Sequence, residues 1–338
     1  MAHGSAPSRN RSALARWWGG HGLAQGMLLA TTLALAMFLL ANIGRSMRHL
    51  GMEPNLAYLW RPAAFDIAES LIPYQAGDLY ARAILVGLLN TAKLAFFGCL
   101  LATVLGVSLG VLRQAGNRLL ARLIEAYVEI VRNTPLTLQL FFWIALTHAL
   151  PPVRQALQPL PGVFLSIRGV FLPWPGIDAG GLALGWPTLH GFNITGGVSL
   201  TPEFAAMLAG LTVYYSASIS ESVRSGIESV HAGQWEAARA LGLARRRIIR
   251  LIVLPQAMRV ITPLMTSSYL DLTKDTTLGI LIGFTEVTAV IKTSANNTGN
   301  AVETIIVLLA VFLSISLPVS GLINLYNRRL VRRGVVAR

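Results

Sequence analysis

Cysteine and lysine are both scarce in this chain. The one cysteine, Cys99, lies inside an apolar run, so no disulfide framework is available and the residue reads as a buried filler. The lysines are Lys93, Lys274 and Lys292; they follow Ala, Thr and Ile, so none completes the Gly-Lys-Ser/Thr end of a phosphate-binding loop. The chain therefore carries no phosphate-binding loop of that kind. The histidines at 3, 21, 49, 148, 190 and 231 have no metal-ligand spacing, and neither a metal nor a cofactor is expected. Charge is thin as well: 13% of 338 residues, against 54% hydrophobic residues and a mean hydropathy of +0.57. That balance excludes a soluble domain of this length and indicates an integral membrane protein.

The charge that is present is one-sided, with a formal net charge of +13. It falls in short clusters between apolar runs, without the aromatic interleaving of a nucleic-acid surface, so no nucleic-acid partner is expected and the charge is topological. Runs long enough to cross the roughly 30 Å hydrocarbon core occur at 26–44, 83–112, 203–223, 248–270 and 303–326. A further segment is composite: 119–131 carries Glu125 and Glu129, Arg132 follows, and Leu136–Thr147 continues as apolar helix after Pro135. This reads as an amphipathic lead-in and a spanning part, kinked at Pro135. The run Thr276–Ile291 is short and holds Glu286. Counting it as a seventh span would put the C-terminal arginines outside, against the positive-inside bias, so about six spans are expected with both termini cytoplasmic.

This divides the chain into a basic tail (1–25), a first transmembrane helix (26–44), a periplasmic loop (45–81), a transmembrane domain (82–327) and a second basic tail (328–338). Arg45 and Arg48 directly follow the first run, which makes a cleaved signal peptide the rival reading there. The run is longer than a typical signal core and ends without a small-x-small site. Within the domain, 149–202 holds Pro151, Pro152, Pro159, Pro161, Pro173, Pro175 and Pro187, a density that disfavours a long helix and predicts a compact irregular periplasmic cap.

Gly106-Val-Ser108-Leu-Gly110 matches a nucleophile-elbow pattern, but it lies inside an apolar helix, where Gly106-xxx-Gly110 is a close-packing face. The polar residues in the spans are more informative, because ionisable groups in hydrocarbon are costly and normally face a bundle interior or a water-filled path. Asn90 and Lys93 share a helix face, and Lys93 either neutralises a bound carboxylate or pairs with one of the chain's own. Tyr214, Tyr215, Ser216, Ser218, Ser220 and Glu221 line the 203–223 run, where small hydroxyls also serve helix packing. Asp271, Lys274 and Asp275 have the spacing of a local ion network.

One polar segment between apolar runs has a distinctive pattern: Glu236-Ala237-Ala238, three residues, Gly242, then Ile252-x-Leu254-Pro255. The alanines favour helix, Glu236 suits a first turn, and Gly242 can take the left-handed conformation that ends one. An ordinary loop helix is the plain reading. The whole spaced set resembles the coupling segment of ABC-importer permeases, which implies a coupling-helix region at 229–243 with Glu236, Ala237, Ala238, Leu241 and Gly242 meeting the ATPase. Val131-Arg-Asn-Thr-Pro-Leu-Thr-Leu-Gln-Leu-Phe-Phe142 resembles a signature of polar-amino-acid permeases, and the likeness extends through Asp271-Leu-Thr-Lys-Asp-Thr-Thr-Leu278 to cover about 70–327. Leu71-Ile-Pro-Tyr74, the extra first span and Arg168-Gly-Val-Phe-Leu-Pro-Trp-Pro175 are similar to the general L-amino-acid branch.

The resemblance implies an all-α integral membrane protein, a type I ABC-importer permease bundle of the bacterial inner membrane. It further implies two copies of an ATPase, a second homologous permease as a different partner, a periplasmic amino-acid-binding protein and an L-amino acid as substrate. Carried over by position, the substrate-path residues are Arg132, Asn133, Thr134 and Gln139, with Asn90 and Glu221 as possible helpers by chemistry. Arg132 suits a carboxylate; an ion pair with Glu129 or Glu125 earlier on the same helix is the structural alternative. A secondary transporter would carry two related halves, and the sequence shows no internal repeat. A non-transporting scaffold would need neither the coupling segment nor polar residues in its spans.

Overall fold

The computed structural model describes residues 22–49, 56–114, 116–178 and 181–314, together with 317 and 321. Both predicted basic tails, except residues 22–25, and the end of the last predicted span lie outside these residues. The chain divides into two compact units, residues 1–56 and 57–338. In the first, the described part is a single helix, α1 (Gly22–His49), whose Leu28, Leu33 and Phe38 are exposed. That is the surface lipid would cover.

The second unit is built on α2 (Tyr80–Arg113) and α5 (Pro202–Glu228), with α3 (Arg118–Asn133), α4 (Leu136–His148) and α8 (Leu254–Asp275) packed around α5. Glycines set how closely α2 and α5 approach. A Cβ on Gly106 would lie 2.7 Å from both the Cβ of Ile219 and the Ser216 carbonyl oxygen, and one on Gly110 would lie 2.7 Å from the Cβ of Val223. The small-xxx-small face therefore works in packing, with Ile219 and Val223 seated over it.

Among the described residues, three helices are long and apolar enough to cross a membrane: Gln25–Ser46, Tyr80–Arg113 and Arg245–Ile282. Leu136–His148 and α10 (Ala301–Ser314) are shorter apolar helices. The predicted span at 203–223 falls in α5, whose 27 residues reach about 40 Å but whose hydroxyls and charged last turns dilute its apolar character. The Arg245–Ile282 segment is not uniform. It opens as α7 (Arg245–Ile248), widens to a π-helical turn at Ile249–Val253 beside Pro255, continues as α8 and tightens to a 3-10 helix at Thr276–Ile282. Gly283, at φ 83°, then stops it, and α9 (Val287–Thr298) starts afresh with the Glu286 side chain accepting from the N–H groups of Thr288 and Ala289. No single helix runs through 276–291.

Two expectations need correction. The segment before α5 is a β structure, so the chain is mostly rather than wholly helical. Strands β1 (Leu157–Leu160), β2 (Val163–Ser166), β3 (Gly169–Leu172) and β8 (Val198–Leu200) form an antiparallel sheet in the order β1-β2-β3-β8. The hairpins β4–β5 (Trp174–Asp178, Gly181–Gly185) and β6–β7 (Thr188–His190, Asn193–Thr195) stand between β3 and β8. Proline blocks a helix interior but is tolerated in edge strands and turns, which is where Pro159, Pro175, Pro161 and Pro173 sit. The second correction concerns Pro135, which separates two helices where a kink within one was expected. Thr134 is driven to extended backbone (φ −95°, ψ 126°), as a residue preceding proline is, so α3 ends and α4 starts anew.

Candidate functional site

At the end of the bundle where α2 meets α3, a cleft of about 450 Å³ is lined by Arg113, Glu125, Val128, Glu129, Arg132, Asn133, Glu221 and Arg224. Arg113, at the last turn of α2, reaches Glu125 on α3 at 2.7 Å and Glu221 on α5 at 3.2 Å. Arg224, one turn beyond Glu221, grips that carboxylate with Nε at 3.0 and 3.1 Å and also pairs with Glu228. Glu221 is thus held from both sides. Arg132 opens into the same cleft; among the described residues it forms no salt bridge, though its charge acts on the Glu221 carboxylate. The expected pairs with Glu129 and Glu125 do not form; Glu125 is taken by Arg113 from another helix, where sequence spacing gave no hint of it.

The other predicted path residues separate. Arg132, Asn133 and Glu221 come together, whereas Thr134 and Gln139 serve the backbone at the helix break. The Gln139 Nε2 donates to the carbonyls of Val131 at 2.8 Å and Thr134 at 3.1 Å, and the Thr134 hydroxyl donates to Ile130 at 2.7 Å. The Gln139 bonds serve carbonyls at the break that Pro135 makes, whereas the Ile130 carbonyl also accepts from the Thr134 N–H at 3.1 Å. Asn90 belongs elsewhere. Fully buried, it donates to the Glu69 carbonyl at 2.6 Å and the Thr285 carbonyl at 2.9 Å. Lys93 pairs with the Glu69 carboxylate, which also accepts from the Thr201 N–H at the start of α5 (3.2 Å), and its ammonium lies 4.5 Å above the Phe204 ring. The open question over Lys93 is settled in favour of an internal pair.

A further cleft of about 340 Å³ between α5 and α8 is lined by Tyr214, Tyr215, Ser218, Ser268, Asp271, Lys274 and Asp275. Among the described residues Asp271, Lys274 and Asp275 form no salt bridge, although the charges of Asp271 and Lys274 both act on Asp275. Instead, the Tyr215 hydroxyl donates to Asp275 at 2.6 Å, and Asp271 and Lys274 are exposed. Sequence spacing drew attention to residues on one helix, while the partner comes from another. The result is a polar recess with carboxylates, one ammonium and several hydroxyls, which suits a small zwitterion.

Helix α6 (Ala232–Ala240) is the predicted loop helix, and it begins earlier than expected. His231 caps it, accepting from the Gly233 N–H at 3.1 Å, so Glu236 lies beyond the first turn. It ends as foreseen. Gly242 takes φ 71°, its N–H donates to the Arg239 carbonyl at 2.9 Å, and the Leu243 N–H donates to the Ala238 carbonyl at 3.2 Å, the paired bonds of a Schellman cap. Glu236, Ala237, Leu241 and Gly242 are exposed, with Leu241 at 78%, but Ala238 is 1% exposed and packs within the chain's own core. Ala238 is therefore removed from any surface a partner could touch.

Residues 102–332 match the family described as binding-protein-dependent transport system inner membrane component. The chain is 36% identical to a putative amino-acid ABC transporter permease, YhdX of Escherichia coli (strain K12), over 91% of this chain and 93% of that protein. It is 34% identical to the general L-amino acid transport system permease AapQ of Rhizobium johnstonii, covering 86% of each. Among solved structures it is similar in fold to a chain of an amino acid ABC transporter crystallised with histidines, at TM-score 0.54 and 24% identity, covering 74% of this chain and 95% of the other. An inward-facing MetNI methionine ABC transporter gives TM-score 0.52 at 18% identity, covering 74% and 96%.

Proposed function

Because the chain belongs to the family of binding-protein-dependent transport system inner membrane components, we propose that it is the permease subunit of an ATP-driven importer of L-amino acids. In this reading it crosses the inner membrane about six times with both termini cytoplasmic. It pairs with a second, homologous permease, and the pair receives substrate from a periplasmic binding protein and docks two copies of an ATPase. The observation that carries the proposal is that α5 contributes to two charge-lined clefts, Tyr214, Tyr215 and Ser218 to one and Glu221 and Arg224 to the other. An amino acid entering a low-dielectric path loses hydration at both its carboxylate and its ammonium, so it needs fixed partners of both signs. Arg132, exposed in its cleft and in no salt bridge among the described residues, suits the carboxylate, and Asp271 suits the ammonium.

Exposed α6 serves as the coupling element, presenting Glu236, Ala237, Leu241 and Gly242 to the ATPase. Closure of the ATPase dimer is transmitted through α6 and biases the bundle between inward-open and outward-open arrangements. The experiment is transport of a labelled panel of acidic, neutral and basic amino acids by the reconstituted complex. Arg132→Lys and Asp271→Asn should weaken transport or shift its preference while basal ATP hydrolysis stays unchanged. An unaltered transport profile in both variants would remove these clefts from the path.

A further inference from the structure

Two arginine-rich segments far apart in sequence meet at one edge of the bundle. The first is the turn from α2 into α3, with Arg118 and Arg122; the second is the start of the Arg245–Ile282 apolar helix, with Arg245, Arg246, Arg247 and Arg250. They are joined by Arg245, whose Nη2 donates to the Gln114 carbonyl at 2.8 Å. No Asp or Glu occurs in 114–122 or in 243–252. The nearest acid on α3, Glu125, is already paired with Arg113. Among the described residues these six arginines have no carboxylate partner, and all are exposed. Interleaved with them are exposed leucines: Leu119 at 69%, Leu123 at 61% and Leu251 at 63%.

The position identifies the occupant. Arg113 ends one of the helices long and apolar enough to cross a membrane, Arg245 begins another, and the Arg245–Gln114 bond ties those two ends together. Unneutralised guanidinium groups at the ends of two spans, alternating with exposed leucines, match the boundary between phosphate headgroups and acyl chains. A free anion would make no use of the leucines. We propose that the surface formed by Arg118, Arg122, Arg245, Arg246, Arg247 and Arg250 binds the headgroups of anionic phospholipids, with Leu119, Leu123 and Leu251 among the first acyl carbons. Guanidinium forks bind phosphate oxygens in pairs and are lightly hydrated, which suits them to this task.

The test uses the full-length chain purified in detergent, where lipid binding is independent of membrane orientation and of transport. Phosphatidylglycerol and phosphatidylcholine are added together, and retained lipid is read by native mass spectrometry. The wild type should retain phosphatidylglycerol preferentially and lose it at high salt. Each arginine replaced by glutamine should lower that retention by up to about fivefold, and Arg118→Gln/Arg122→Gln/Arg246→Gln/Arg250→Gln together should abolish the preference. The matching four-lysine variant should keep most of it, which controls for a glutamine variant that folds poorly. Equal retention of the two lipids by the wild type, salt-independent retention, or undiminished preference in the glutamine variant would overturn the proposal. Complete displacement of lipid by millimolar inorganic phosphate would reassign the surface to small anions. Unchanged lipid retention with loss of ATPase co-purification would reassign it to a protein partner. Failed amino-acid transport with selective phosphatidylglycerol retention would sink the transport reading and leave this one standing.

Discussion

At the scale of single residues, burial separates neighbours that composition treats alike. Ala237 and Ala238 are indistinguishable in sequence, yet one is exposed and the other is packed among the chain's own core residues. Ala237→Arg and Leu241→Asp should therefore leave membrane yield unchanged and lower ATPase co-purification, whereas Ala238→Arg should lower the yield itself; quantitative pull-down normalised to expression measures both. Gly242→Val meets no atom within 4 Å of its new Cβ, so its cost is backbone strain at φ 71°, about 1–2 kcal/mol, and its effect should be confined to the cap of α6. Gly106→Val is different in kind. It would drive into Ile219 and the Ser216 carbonyl, and a loss of about 1–3 kcal/mol or more should appear as a lower midpoint in thermal unfolding of the detergent-solubilised protein. Arg132 shows where spacing ran out. The sequence offered Glu129 and Glu125 as its partners, but Arg113 on another helix takes Glu125 and the carboxylate that feels the Arg132 charge is Glu221 on α5, so Glu129→Gln should not reproduce the transport phenotype of Arg132→Ala.

At the scale of elements, the features legible in advance are those set by local stereochemistry. Gly242 ends α6 and the glycines four apart on α2 receive α5, because φ preferences and the absence of a side chain act within a few residues of where they are written; at Pro135 a disturbance was legible, but not that it divides two helices. The strands at 157–200 were not legible. Their segments are short, prolines and glycines interrupt any alternation, and their stability comes from pairing across the insert, as in Phe164 opposite Phe171 and Val170 opposite Leu200. The same holds for Tyr215 and Asp275, sixty positions apart, whose hydrogen bond could not be read from the spacing of Asp271, Lys274 and Asp275 on one helix. The expected orientation of these elements can be checked directly. In a Cys99→Ala background, a membrane-impermeant maleimide applied from outside should label a cysteine at exposed Ser199 but not one at exposed Ser229. The reverse pattern would invert the topology.

At the scale of the molecule, α5 is the element on which the rest is assembled: α2, α3, α4 and α8 all pack on it, and it contributes to both clefts. Its first turn is also tied outward, because Glu69 accepts from Thr201 while pairing with Lys93 on α2. A two-state transporter built this way should move α2 and α5 as one body. The β insert has a separate consequence. Leu172 on β3 stands opposite Val198 on β8, so the chain leaves the main sheet and returns to a neighbouring strand, and everything from 173 to 197 is an excursion that begins and ends at one place. Seen as a polymer, that stretch is a closed loop whose ends the sheet already holds, and loop length between fixed ends costs little free energy. The exposed turns of this stretch, such as the one at Gly191, are thus places where added chain costs little, while Ile194 ties the stretch itself to Val153, Phe164 and Phe171. Ile194 is buried with those three residues, so replacing all of 173–197 by a short turn should lower the thermal midpoint of the solubilised protein, whereas a foreign hairpin grafted at the exposed Gly191 turn, where no other atom lies within 4 Å of an added Cβ, should leave it nearly unchanged.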